Sequence, residues 1–201
     1  MKQAYSIPAA PIEHCYEIKN SKFIARVEYA EDRSSAMAVL EQAKHDYPDA
    51  RHHCWAYLLG DPAQPVSAAF SGDGEPSGTA GKPILNVLNH RGVGDIIVVV
   101  IRYFGGVKLG AGGLVRAYSA ATQRAIEMLS TRQLVPKVEL SLRGQYAHES
   151  ELRRLVDNLK GEIVDTDYST DLRLVMSVPC AAEAEVQEYV ASRKGMTLVK
   201  P

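Results

Sequence analysis

A glycine-rich stretch between a strand pattern and a helix pattern constrains this chain more than any other feature. Residues 96–101 are apolar without alternation, which is expected of a central strand covered on both faces. A helix over residues 114–129 is predicted by apolar residues at spacings of four, three, four and three: Leu114, Tyr118, Ala121, Ala125 and Met128. Five glycines lie between the two patterns: Gly105, Gly106, Gly110, Gly112 and Gly113. Because glycine loses more conformational entropy on ordering than any other residue, the junction indicates unusual backbone dihedrals or a close backbone approach.

The same stretch is a candidate for binding an anion. Backbone amides of a glycine-rich loop, together with the first turn of the following helix, attract phosphate. The cations Arg102, Lys108 and Arg116 are spaced through it. The alternative is a tight turn with an exposed lysine, and the sequence leaves both readings open. A Walker A motif is absent, and Val115 stands where a dinucleotide fingerprint beginning at Gly110 would require glycine.

A second glycine cluster occupies residues 71–81 and contains Gly72, Gly74, Gly78 and Gly81. The two clusters hold nine of the chain's 15 glycines, which favours two specialised loops over scattered turns. Asp73 and Glu75 lie in the second cluster, where carboxylates could bind a hard metal ion, act as acid and base, or remain solvated. A further role is to pair with Lys82, Arg102 or Arg116 and so order one cluster against the other.

The remaining patterns predict an α+β protein of two domains, residues 1–131 and 135–201, with a boundary near Pro136. In the first domain we expect strands over 12–19, 22–29, 52–59 and 66–70, a helix after Asp32 that Pro48 ends, and a short helix from Pro83. In the second, the patterns follow the order β-α-β-β-α-β, which is typical of a ferredoxin-like domain.

Charge and cysteine usage narrow the possible functions. The net charge is −1, with +1 in residues 1–134 and −2 in the rest, so a nucleic-acid site must be a local patch. Three widely spaced cysteines are typical of reduced thiols, and we expect a cytoplasmic location with no membrane association. His52, His53 and Cys54 lack the further ligands that a zinc site needs. We therefore predict no metal, no cofactor and no catalytic residue, and the oligomeric state stays open.

Four segments resemble the IMPACT family, in particular its bacterial members. They are residues 21–24, 48–54, 70–83 and 102–118, of which the last two are long and specific. The resemblance implies an N-terminal domain with the fold of ribosomal protein S5 domain 2, shared with elongation factor G domain IV. It also implies a ferredoxin-like C-terminal domain similar to domain V of that factor. Eukaryotic relatives are translation regulators, and ribosome or RNA association follows for bacterial members from the shared domains.

We therefore expect a translation-associated regulator that binds RNA or the ribosome. The residues expected to contact phosphate are Lys82, Arg102, Gly105, Gly106, Lys108, Gly110, Gly112, Gly113 and Arg116, supported by the acidic loop with Asp73 and Glu75. Two alternatives remain: a small-molecule kinase or other phosphate-handling enzyme, and a module whose loops bind a protein partner.

Overall fold

The structure is a computed structural model that describes residues 3–199. The ends of the two predicted domains, residues 1–2 and 200–201, lie outside the described residues. The chain is an α+β protein that forms two compact units, one spanning Tyr5–Leu134 and one containing residues 135–199. Within residues 3–199, no helix has both the length and the apolar character needed to cross a membrane.

The N-terminal unit is built on a five-stranded antiparallel sheet with strand order β2-β3-β6-β4-β5. Its elements in chain order are β1 (Tyr5–Pro8), β2 (Ile12–Ile18), β3 (Ser21–Tyr29), α1 (Arg33–Asp46), β4 (His52–Leu59), β5 (Ser67–Ser71), α2 (Gly81–Asn89), β6 (Ile96–Tyr103), α3 (Gly110–Glu127) and β7 (Thr131–Leu134). β1 and β7 pair with each other in a separate two-stranded sheet. The sequence predicts a boundary over residues 130–136, and the structure has a strand within it, since β7 belongs to the N-terminal unit.

The prediction that residues 96–101 form a central strand is confirmed. β6 is hydrogen-bonded to β3 and β4, and all six apolar residues are fully buried. Val98 and Val100 belong to the core beneath α2 and α3, whereas Ile97, Val99 and Ile101 belong to the core beneath α1. Each buried aliphatic side chain contributes about 1.5–3 kcal/mol to the stability of the fold. β6 therefore stabilises the core beneath α2 and α3 and the core beneath α1 at the same time.

The helix after the glycine stretch begins earlier than the sequence indicated. α3 starts at Gly110 rather than Leu114, so Gly112 and Gly113 lie in its first turn and the loop is only residues 104–109. Glycine lowers helix propensity by about 1 kcal/mol per residue relative to alanine. Burial of Leu114, Ala117 and Tyr118 outweighs that cost and extends the helix towards its N-terminus.

The C-terminal unit has the predicted order β-α-β-β-α-β. It consists of β8 (Lys137–Gly144), α4 (Glu149–Asn158), β9 (Glu162–Asp167), β10 (Leu172–Pro179), α5 (Glu183–Ala191) and β11 (Thr197–Val199). Its antiparallel sheet has the order β11-β8-β10-β9, and residues of the strands and both helices share one core, including Leu142, Leu152, Leu174, Met176 and Val186. The ferredoxin-like pattern read from the sequence is confirmed.

Gly105 illustrates the close backbone approach that the sequence indicated. A Cβ atom added there would lie 2.0 Å from the carbonyl carbon of Asn20 and 2.3 Å from the amide nitrogen of Ser21. The Gly105 amide also donates a hydrogen bond to the Ser21 hydroxyl at 3.1 Å. The loop after β6 is therefore packed directly on the turn between β2 and β3.

We expect Gly105→Ala to lower the free energy of unfolding by about 3 kcal/mol, because backbone atoms must move to admit the methyl group. Gly112→Ala is the matched control, since its Cβ would only touch Arg116 at 3.5 Å and alanine favours the helix. Urea unfolding followed by circular dichroism measures both variants. Equal stability of the two variants would contradict the packing described here.

Candidate functional site

One end of the five-stranded sheet brings both glycine clusters together. β2, β5 and β6 end there, β3 and β4 begin there, and α2 and α3 start from it. The register fixes the arrangement: Lys22 pairs with Tyr103, and His52 pairs with Arg102. We call this surface, made of residues 17–22, 47–53, 71–82 and 102–116, the glycine edge.

A buried ion pair joins the two clusters. Arg102 Nη1 donates to Glu75 Oε1 at 2.6 Å, and the two side chains are 10% and 3% exposed. The hydroxyl of Tyr118, from α3, donates to the same oxygen at 2.7 Å. Among the roles considered for Glu75, the structure therefore shows the pairing that orders one cluster against the other. Within residues 3–199, no group of three or more His, Cys, Asp or Glu side chains is arranged to hold a metal ion.

Cys54 extends this buried network on the sheet side. Its thiol lies 3.1 Å from the carbonyl oxygen of Gly72 and 3.3 Å from the Tyr118 hydroxyl oxygen. Burial raises the pKa of Cys54 to about 12 and raises the pKa of Tyr118 above its ordinary range. Both groups therefore hold their protons at neutral pH, which makes Cys54 a structural thiol rather than a nucleophile.

Asp73 fastens the acidic loop to β4. Its Oδ2 accepts the backbone N–H of His53 at 2.6 Å, and its carbonyl oxygen accepts a hydrogen bond from His52 Nδ1 at 2.7 Å. The other histidine, His53, is buried, and its Nε2 lies 3.1 Å from the carbonyl oxygen of Tyr47. Hydrogen bonds within the N-terminal unit thus hold the acidic loop against β4, and its support of a phosphate site stays a prediction.

The predicted cations fall into two groups. Lys82, Lys108 and Arg116 are exposed, and none of them forms an ion pair within the described part of the chain. Arg102 differs, because its side chain is nearly buried and its charge is paired with Glu75. The expectation that Arg102 contacts phosphate is therefore corrected: it supports the surface from beneath.

The N-termini of α2 and α3 add backbone hydrogen-bond donors to the glycine edge. For both helices, residues 3–199 supply no side-chain cap, and neither first turn contains an acidic residue. Backbone N–H groups at an uncapped helix start carry partial positive charge and lack intrahelical partners. Gly106 and Gly110, which flank Lys108, have φ values of +87° and +72°, a region that favours glycine.

Charge is segregated within the N-terminal unit. The glycine edge carries seven cations and four anions, a net charge of +3: Lys19, Lys22, Arg51, Lys82, Arg102, Lys108 and Arg116 against Glu17, Asp49, Asp73 and Glu75. The rest of residues 1–134 carries seven cations and nine anions, a net charge of −2. The near-neutral total therefore conceals a basic end, which sequence counting over the whole domain could not show.

Sequence reasoning missed Cys54 and Tyr118 as partners of the acidic loop. Cys54 was expected to pack within a strand and Tyr118 within the core, and both are buried. Their hydrogen bonds join residues 64 and 43 positions apart in the chain, Cys54 to Tyr118 and Tyr118 to Glu75. Local spacing contains no signal for such contacts.

Comparison with known proteins fits this arrangement. The model of the family described as Impact N-terminal domain matches residues 19–126, which include the whole glycine edge apart from its first two residues. The chain belongs to the IMPACT family. It is 39% identical over 189 residues to IMPACT family member YigZ of Escherichia coli (strain K12), a match covering 94% of this chain and 93% of the relative.

Further relatives extend the comparison. An IMPACT family member of Haemophilus influenzae is 36% identical over 174 residues, covering 87% of this chain and 84% of the relative. A crystal structure described as that of a hypothetical protein is 37% identical, with a TM-score of 0.73, and the match covers 100% of this chain and 98% of that one. This likeness supports the α+β fold.

We expect Glu75→Gln to lower the free energy of unfolding by about 3–5 kcal/mol, because Arg102 would keep a buried charge without its counterion. The double variant Glu75→Gln/Arg102→Met should recover most of that loss, since it removes the orphaned charge. Guanidinium unfolding of the three proteins measures the effect. A double variant as unstable as the single one would contradict a buried charge as the cause.

Cys54 should react with Ellman's reagent at about pH 8 only after unfolding, because burial keeps its thiol protonated. Exposed Cys15 provides an internal reference in the same sample. Cys54→Ala should leave the fast phase of the native protein unchanged and remove one thiol from the count in denaturant. A smaller fast phase in this variant would show that Cys54 is accessible.

Proposed function

We propose that this protein is a translation-associated regulator of the cytoplasm that binds RNA or the ribosome through the glycine edge. One observation carries the proposal: within residues 3–199, the exposed cations Lys82, Lys108 and Arg116 form no ion pair, and they lie at or next to two helix starts that have no side-chain cap. Side-chain charge and backbone amides thus favour the same ligand, a phosphate-bearing one.

The acidic loop repels a phosphate-bearing ligand less than its two carboxylates, Asp73 and Glu75, would suggest. Glu75 is neutralised by Arg102 beneath the surface, and the Asp73 carboxylate accepts a backbone N–H. The glycine edge therefore keeps a net charge of +3, in which the exposed anions Glu17 and Asp49 are already counted. Basic patches of this kind steer polyanions towards a surface even when the whole protein is nearly neutral.

The proposed role in translation comes from the resemblance to the IMPACT family, whose eukaryotic members regulate translation.

The geometry supports a binding role over a catalytic one, because the ionisable groups beneath the glycine edge are hydrogen-bonded to each other. Glu75, Tyr118 and Cys54 form a closed buried network. We therefore propose recognition of structured RNA or ribosomal RNA, with no bound cofactor.

We expect Lys108→Ala/Arg116→Ala to weaken binding to purified ribosomes and to a structured RNA by about tenfold or more at about 100 mM salt. The slope of log binding constant against log salt should fall by about two, one per lost phosphate contact. Pelleting with ribosomes and fluorescence anisotropy with labelled RNA measure these effects.

Arg33→Ala/Arg132→Ala is the matched control, because it removes two exposed arginines from the opposite end of the sheet. Its affinity and salt slope should equal those of the wild type. If the wild type sediments no better than the Lys108/Arg116 variant, or the control weakens binding equally, the glycine edge is not the binding surface.

A further inference from the structure

Phe104 is a large apolar side chain in an unexpected place. It is the first residue after β6, in the loop 104–109, and it is 55% exposed. Val107, at the tip of the same loop, is 45% exposed. An exposed aromatic ring between cationic side chains contributes little to folding, and clustered exposed apolar groups are typical of binding sites.

The Phe104 ring contacts the guanidinium of Arg102, which is itself held in place by Glu75. The guanidinium carbon of Arg102 lies over both rings, 5.8 Å from the centroid of Phe104 and 5.6 Å from that of Phe23. Glu75 fixes the guanidinium through the buried ion pair. Phe23 is itself fully buried and packs edge-to-face on Tyr118 at 5.1 Å.

Much of the Phe104 side chain remains open to solvent. Arg102 lies over one face of the ring and 55% of the residue is exposed, which leaves ring surface for a flat ligand. Lys108 follows four residues later, and the Arg116 guanidinium lies over Gly112 in the first turn of α3. The surface therefore offers one aromatic face and phosphate-binding groups on a short stretch of chain.

We propose that Phe104 is a stacking platform for an unpaired base in a single-stranded segment of the bound RNA, and that the phosphates of this segment contact Lys108 and Arg116. The proposal rests on the function proposed above and specifies the form of the RNA. A base stacks on a protein ring only when its own face is free, and paired bases within a duplex have both faces occupied. Arg102 holds the ring from behind and is a positioning residue.

Fluorescence anisotropy with a labelled single-stranded RNA of about 12 nucleotides, and with the same sequence as a duplex, tests this proposal. The wild type should bind the single strand at least about tenfold more tightly than the duplex. Phe104→Leu should bind the single strand about tenfold more weakly, with an unchanged salt slope, because stacking is lost and phosphate contacts remain.

Two further variants separate stacking from general apolar contact. Phe104→Trp should retain wild-type affinity, and its added tryptophan emission, relative to the wild type with Trp55 alone, should be quenched by the RNA. Met128→Ala is the matched control, since Met128 is 58% exposed but lies at the end of α3 opposite to the glycine edge. Its affinity should be unchanged.

The outcomes distinguish this proposal from the one on which it rests. If the wild type shows salt-dependent RNA binding but Phe104→Leu binds as tightly, or the duplex binds equally well, stacking is overturned and RNA binding stands. If Phe104→Leu loses ribosome pelleting while keeping its affinity for free RNA, the ring contacts a protein and stacking is again overturned. If the wild type binds neither RNA nor ribosomes, both proposals fail.

Discussion

The buried ion pair between Glu75 and Arg102 is the contact on which the candidate surface depends. It joins the loop after β5 to the end of the central strand, and Tyr118 adds α3 to the same carboxylate oxygen. Three segments distant in sequence thus meet at one atom. Since an unpaired charge in this position would be costly, the pair fixes the geometry of the loops more strictly than apolar contacts alone.

This arrangement explains how a nearly neutral domain can present a basic surface. The acidic residues of the second glycine cluster are turned inward or engaged by the backbone, whereas three of its neighbouring cations face solvent. The starts of α2 and α3, for which the described residues supply no side-chain cap, add positive potential at the same surface. The sign of the ligand that the N-terminal unit attracts therefore depends on how its charges are distributed rather than on its net charge.

Much of the fold follows from patterns that the sequence displays. The apolar run of β6, the alternation in β3 and the order of elements in the C-terminal unit all correspond to the structure, because burial on one or two faces leaves a direct periodic signal. The start of α3 could not be predicted, since tertiary packing of Leu114 and Tyr118 overrides the low helix propensity of glycine. The sequence offered Arg102 as one of three cations that could pair with the acidic loop. The choice among the three, and the exposure of Phe104, depend on contacts between distant segments, which periodicity does not encode.

The packing of Gly105 on residues 20 and 21 constrains how the family can vary. Hairpin turns usually tolerate changes of length, since they project into solvent. Here Lys19 and Asn20 form a tight turn with φ values of +47° and +63°, and the backbone of Asn20 and Ser21 is in contact with the loop that follows β6. An added residue in this turn would displace the loop carrying Phe104 and Lys108, so divergence among relatives should spare the length of the turn.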